Sequence, residues 1–252
     1  MDAYELSSLT AEPIQTLGMS YYFDPGTSAR AKELGLNVFE FYGLGRGGVL
    51  GNVDAAAIDA AFVFFQPSLY DALWDQPRLK ADPVATAAAY AQAANEFADR
   101  TFGAVPTNTL TKFAEGARRV ATMAPKGRCA LVEGYLRQPE PASPVHAAYL
   151  GTILLRELRG GLHIHAVHDA GMTPAEACYL SDATIFKLHG YTDDDVPTVT
   201  PELEEKKKMA EVLTSASMAT CFEVLNESER QQLADGTRAL VDALSDPAPV
   251  QS

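Results

Sequence analysis

Two short stretches hold most of the residues that could do chemistry. In GLGRGGVLG, residues 43–51, five glycines surround a single charge, Arg46. In LLRELRGGLHIHAVH, residues 154–168, Arg156, Glu157, Arg159, Gly160, Gly161 and His163 stand together. His165 and His168 follow, so three of the chain's five histidines fall within six residues. An arginine among glycines has two uses. It can anchor a buried carboxylate such as Glu157 through its planar fork, or it can recognise an anionic ligand where the backbone allows close approach. Imidazole titrates near neutral pH, so His163, oriented by Glu157 or Asp169, is the preferred general acid or base. A helix-end histidine hydrogen-bonded into the core competes with that role. His165 and His168 share a helical face at metal-site spacing, but no Cys or second acidic cluster completes a coordination shell, so no metal is expected.

Gly43, Gly45 and Gly48 also match G-x-G-x-x-G. That fingerprint binds dinucleotides only between a strand and a helix in an alternating β/α chain. VFEFY could pass for the strand, and Asn52 or Asp54 could cap a following helix, but no succession of strand and helix units builds a parallel sheet. No Lys-Ser or Lys-Thr follows the glycines, which removes the P-loop alternative. A third stretch, FFQPSLYDALWDQ, gathers Phe64, Phe65, Leu69, Tyr70, Leu73 and Trp74. Aromatics at helical spacing usually fill a core, while Gln66 and Tyr70 could add polar contacts to an apolar pocket. There is no G-x-S-x-G, and nothing favours a serine or cysteine nucleophile.

The elements that must position these residues read at helical period. PVATAAAYAQAANEFADRTFG and TNTLTKFAEGARRVATMAP are the strongest helices. SPVHAAYLGTILLRELRGG opens on Ser143 and Pro144, and its glycine pair predicts an end at Gly160 and Gly161 after about sixteen residues. Two more helical segments close the chain, the last opening on a capping-box-like Asn226 and Glu229. LNVFEFYG and CALVEGYLR are the best strand candidates, though both also fit buried helix turns. HIHAVHDAGMTPAEACYLSDATIF outlines a helix, a break at Gly171, and a second helix capped by Thr173 with Pro174 at its first position. That second helix, PAEACYL, has no Arg, Lys, Asn or Gln to meet bases or phosphates.

The formal charge of -13 repels phosphate backbones. Lys206, Lys207 and Lys208 follow Glu202, Glu204 and Glu205 at the spacing of solvent-side helix pairs. Cys129, Cys178 and Cys221 are widely spaced and predict buried thiols. No long apolar run or basic leader is present, so the chain is read as soluble and cytoplasmic.

The two glycine-bearing motifs together carry a family resemblance. The chain resembles a mainly actinobacterial family labelled helix-turn-helix-like, through EPIQTLG, ELGLNVFEFYGLGRGGVLGNVDA, FFQP, PKGR, LRELRGGLHIHAV and AGMTPAEA. The resemblance implies two related halves, winged-helix-type or simply helical, packed together. Its marked positions fall on Gly45, Arg46, Gly47, Leu50 and Gly51, and on Arg156, Glu157, Arg159, Gly160 and His163. Members commonly carry a histidine where Gln15 stands. DNA binding is implied by fold analogy alone.

The expected fold is mainly α, with two packed helical halves over 1–138 and 139–245 and a frayed tail over 246–252. The expected function is small-molecule binding, with cofactor-independent acid/base catalysis in a pocket between the halves. His163 and Glu157 would handle protons, and Arg46, Arg159, Gly45, Gly47, Gln66 and Tyr70 would line the substrate. A helix-turn-helix regulator, with or without ligand sensing, is the alternative. A non-catalytic ligand- or partner-binding scaffold is a third. The partner is expected to be a small molecule; nucleic acid and membrane are disfavoured, no cofactor is required, and a homodimer stays open.

Overall fold

Local capping sets where most helices begin. The structure, a computed structural model, describes residues 1–245, and the tail over 246–252 lies outside the described residues. Twelve α-helices follow one another: α1 (Ala3–Met19), α2 (Pro25–Glu33), α3 (Val38–Gly47), α4 (Ala55–Phe62), α5 (Pro83–Phe102), α6 (Thr107–Ala121), α7 (Ala130–Leu136), α8 (Pro144–Asp169), α9 (Pro174–Ser181), α10 (Ala183–Leu188), α11 (Pro201–Phe222) and α12 (Glu227–Ser245). Asp2, Asp24, Asn37, Asp54, Asp82, Thr173, Asp182 and Thr200 each accept a backbone N–H of the first turn, the bond that a helix N-terminus otherwise lacks. At the start of α12, Asn226 and Glu229 exchange the reciprocal bonds of a capping box, at 2.8 and 3.0 Å.

No strand forms among the described residues. Both strand candidates are helical: LNVFEFYG runs into α3 and CALVEGYLR into α7. Their apolar runs are short, and burial on a helix satisfies them as well as burial in a sheet.

The central element is α8, 26 residues long, or about 39 Å at the helical rise. It packs on α6, α11, α1, α5 and α7. Val145, Ala148, Tyr149, Ile153, Leu154, Leu155, Leu158 and Leu162 are all buried, so apolar residues cover much of its circumference. The predicted stop at Gly160 and Gly161 is corrected: the helix runs through both to Asp169. Gly161 is there for contact, since a Cβ on it would stand 2.9 Å from Cys129 Sγ. The stop comes at Gly171, with φ of +71°. There the Gly171 N–H bonds the His168 carbonyl at 2.9 Å and the Met172 N–H bonds the Val167 carbonyl at 3.0 Å. This is a Schellman ending, and Val167 and Met172 share an apolar cluster as that motif prefers.

Around α8 the packing joins distant parts of the chain. α1 lies against α11 and α12, α12 also lies on α6, and α3 lies on α5. One buried core takes residues from both sides of Pro139, including Leu17, Phe113, Leu155, Phe222 and Leu233. α9 and α10 pack on each other, with Cys178, Phe186 and Tyr191 forming a small cluster of their own. All three cysteines are buried free thiols, as expected. Lys206 and Lys208 pair with Glu202 and Glu205 along α11, and Lys207 instead donates to the Leu180 carbonyl of α9 at 2.5 Å. No helix among the described residues is long and apolar enough to cross a membrane.

Candidate functional site

The glycine-rich stretch is helix. Asn37 and Glu40 open α3 with a capping box, and the segment after it is a 3-10 turn over Gly48–Leu50. Its glycines permit close packing, with no strand-to-helix loop for a phosphate. A Cβ on Gly45 would stand 2.3 Å from the Tyr90 ring, and one on Gly48 would stand 2.0 Å from the Pro83 carbonyl oxygen. With α5 pressed against those positions, Arg46 reaches across to α8.

There Arg46 grips Glu157. Its Nε donates to Oε1 at 2.9 Å and its Nη2 to Oε2 at 2.7 Å, while Nη1 donates to the Tyr42 hydroxyl at 2.9 Å. Of the two uses open to this arginine in the sequence, the two-pronged carboxylate anchor is present. Arg156 Nη1 donates to Glu157 Oε1 at 2.8 Å, so one carboxylate serves two guanidiniums. Arg46 and Glu157 are 9% and 3% exposed. Burial alone would raise the Glu157 pKa; Arg46 and Arg156 more than reverse this and hold it below the ordinary carboxylate value. The Phe62 ring lies 4.3 Å from the Arg46 guanidinium carbon, and the Tyr22 ring 5.3 Å from that of Arg156.

Just beyond α4 the chain makes a strained turn. Val63 has φ of 54° and ψ of -46°, and the Phe64 N–H bonds the Phe62 carbonyl at 2.6 Å. This is a γ-turn of the positive-φ kind, strained for any β-branched residue, at a cost of about 1–3 kcal/mol. It aims three rings in different directions. Phe62 covers Arg46, Phe64 lies 5.8 Å from the His163 ring, and Phe65 stacks on His189 at 4.2 Å. The turn therefore sits between Arg46 and His163, which belong to the two motifs singled out in the sequence.

His163 is not oriented by Glu157. Its Nδ1 lies 2.9 Å from the Thr214 hydroxyl, whose own hydrogen goes to the Ala210 carbonyl at 2.7 Å. Nδ1 therefore carries the proton, and Nε2 is the basic nitrogen. Glu157 is unavailable to it because both its oxygens are held by arginines. Burial lowers the His163 pKa, with Glu211 working to raise it and Arg159 to lower it. Arg159 is itself paired to Glu211 at 2.7 Å.

The remaining expected residues are placed as follows. Gly45 and Gly47 face Tyr90 and Trp74 in the packing of α3. The Gln66 side chain caps the short turn after it by accepting the Ser68 N–H at 2.7 Å. Tyr70 is buried, and its hydroxyl has no hydrogen-bond partner among the described residues. His165 Nε2 faces the Arg128 carbonyl at 3.3 Å, and His168 is exposed beside Asp169.

Several participants escaped the sequence. Tyr42 had a signal, lying one helical turn before Arg46. Tyr22, His189, Glu211 and Thr214 had none, because only the fold brings them here. His189 Nδ1 donates to the Phe64 carbonyl at 3.0 Å, and its pKa is pushed down to about 4, mainly by burial.

The outline around Gly171 is realised in full: α8 ends in its Schellman turn, and α9 starts in the Thr173–Glu176 capping box. An all-α protein with a helix-turn-helix corner is the class these features define. Residues 8–195 match a helix-turn-helix family, and the chain belongs to that family. Comparison with curated proteins and with solved structures gave no match.

Proposed function

We propose that the protein is a small-molecule-responsive regulator built on the helix-turn-helix scaffold. The observation that carries this is the double role of α8. Arg156 and Glu157 lie in its middle, and its far end forms the corner with α9. A ligand that rearranges the Arg46–Glu157–Arg156 contacts would shift α8 as a body and α9 with it. Family membership supports the helix-turn-helix part of this reading.

The charges of α9 do not favour a duplex held through α9 alone, since Glu176 is its single charged residue. A chain of net charge -13 would need clustered cations elsewhere to hold phosphates. Fluorescence anisotropy with a labelled duplex library at about 50 and about 200 mM salt tests this. Binding that falls steeply with salt, and changes on Glu176→Lys, supports a DNA-reading regulator. No binding at the lower salt sinks the DNA form and leaves a protein partner as the target of the corner.

Acid/base catalysis at His163 comes second. Its one specific support is the Thr214 bond, which leaves Nε2 as the basic nitrogen. Turnover of a small-molecule library that is lost in His163→Gln and retained in Glu157→Asp would bring it forward.

A further inference from the structure

The Arg46–Glu157–Arg156 cluster is one negative charge short. Both guanidiniums stay protonated at physiological pH. Each has Glu157 as its only ion-pair partner among the described residues. The groups around them do not make up the difference. Burial pushes the Tyr22 and Tyr135 hydroxyls further from ionisation, and His189 stays neutral. A donor is also left over, for the Arg156 Nε–H is buried with no hydrogen-bond partner among the described residues. Glu157 Oε1 already accepts from Arg46 Nε and Arg156 Nη1, so no second contact to that oxygen is open to it. A buried charge without a counter-charge is costly to keep, and so is a buried donor without an acceptor.

We propose that this cluster binds an organic monocarboxylate with an aromatic or otherwise apolar body, its carboxylate on Arg156 and Arg46 and its body against Tyr22, Tyr42 and Phe62. The proposal rests on the small-molecule-responsive function above and gives that ligand its chemical class. One unit of charge is missing, and a carboxylate supplies one in the planar shape that matches a guanidinium fork. A phosphate dianion would overshoot by a full charge. Chloride would leave the aromatic faces unused. Opening of the Phe62–Phe65 turn, where Val63 holds a strained backbone, would make room for the body.

The test titrates the full-length protein with sodium benzoate, sodium chloride and sodium phosphate at matched ionic strength, read by thermal melting and calorimetry. Benzoate is expected to raise the melting temperature saturably, and the other two salts are not. Arg156→Met removes the uncompensated charge and keeps the Arg46–Glu157 fork. It should melt no lower than the parent without ligand and bind benzoate at least about tenfold more weakly. If Arg156→Met does not fold, Phe62→Leu decides, because it keeps every charge and removes a ring face. Benzoate binding should then weaken relative to acetate. The proposal is overturned by no saturable benzoate response, by an equal response to chloride or phosphate, or by unchanged benzoate affinity in the variant that folds. Benzoate binding without duplex binding leaves the site standing and sinks the DNA form of the regulator. Duplex binding without benzoate binding sinks the site alone.

Discussion

Arg46 and Glu157 meet through two parallel hydrogen bonds across 111 residues of chain, and this one fork ties α3 to the middle of α8. Because Arg156 shares the same carboxylate, removing the acid does more than remove a pair. Glu157→Gln would leave two buried cations with no counter-charge, and its expected cost is about 3–5 kcal/mol. Arg46→Lys keeps the charge but loses the fork, and should cost less, about 2 kcal/mol. Urea unfolding of the two variants checks the order; equal losses would mean that the excess positive charge is not felt.

Val63 offers the opposite sign. Its positive φ costs about 1–3 kcal/mol, while glycine in its place would give back about 0.5–1 kcal/mol in chain entropy and would lose a half-buried side chain. Val63→Gly is therefore expected to leave stability unchanged or raise it by about 1 kcal/mol, where a valine truncated in a relaxed turn would lose stability. Denaturation midpoints read this directly.

Glycines within helices divide by what they touch. Gly48→Ala would drive a methyl against the Pro83 carbonyl oxygen and should destabilise by roughly 1–3 kcal/mol or more. Gly160→Ala meets nothing within 4 Å in the interior of α8, and should stabilise by roughly 0.5–1 kcal/mol. Thermal melts of the two variants should move in opposite directions.

Acid should weaken the fold before the carboxylates respond. His189 titrates at about 4 in the folded chain against 6.5 ordinarily. As pH falls below about 6.5 the unfolded chain takes up a proton that the native state refuses. Stability is thus present above that pH and lost on the way down to about 4, and His163 shifts in the same direction. Up to about 2 kcal/mol should disappear between about pH 7 and about pH 5. His189→Asn, measured by urea unfolding at both pH values, should flatten that slope.

Helix starts were legible because caps are local: Thr173 with Pro174 and Asn226 with Glu229 stand and bond where the sequence places them, and Ser143 with Pro144 opens α8 by position, its side chain making no cap bond. Helix ends were legible only in part: the break at Gly171 stands where the sequence places it, but the glycine pair at 160–161 looks the same and lies inside α8, with Gly161 packed on Cys129. The fork between Arg46 and Glu157 was one of two readings of an arginine among glycines, and only the packing of α3 on α5 selects it. Nothing in FVFFQ announces a positive φ at a valine, the residue type least suited to one. Thr214 and Glu211 lie on a helix whose sequence advertised only its lysines and glutamates, so the true neighbours of His163 stayed out of view.

The pairing of α1 with α11 carries a consequence for how the chain is made. Ser7 hydroxyl bonds the Ser215 carbonyl, 208 residues on, and Leu6, Ile14 and Leu17 are fully or nearly fully covered in the finished fold. During synthesis that apolar stripe is made well before α11, which covers it. Contacts of such high sequence separation slow the search for the native state. A nascent chain halted before α11 would hold that face of α1 uncovered and open to contacts other than the native ones.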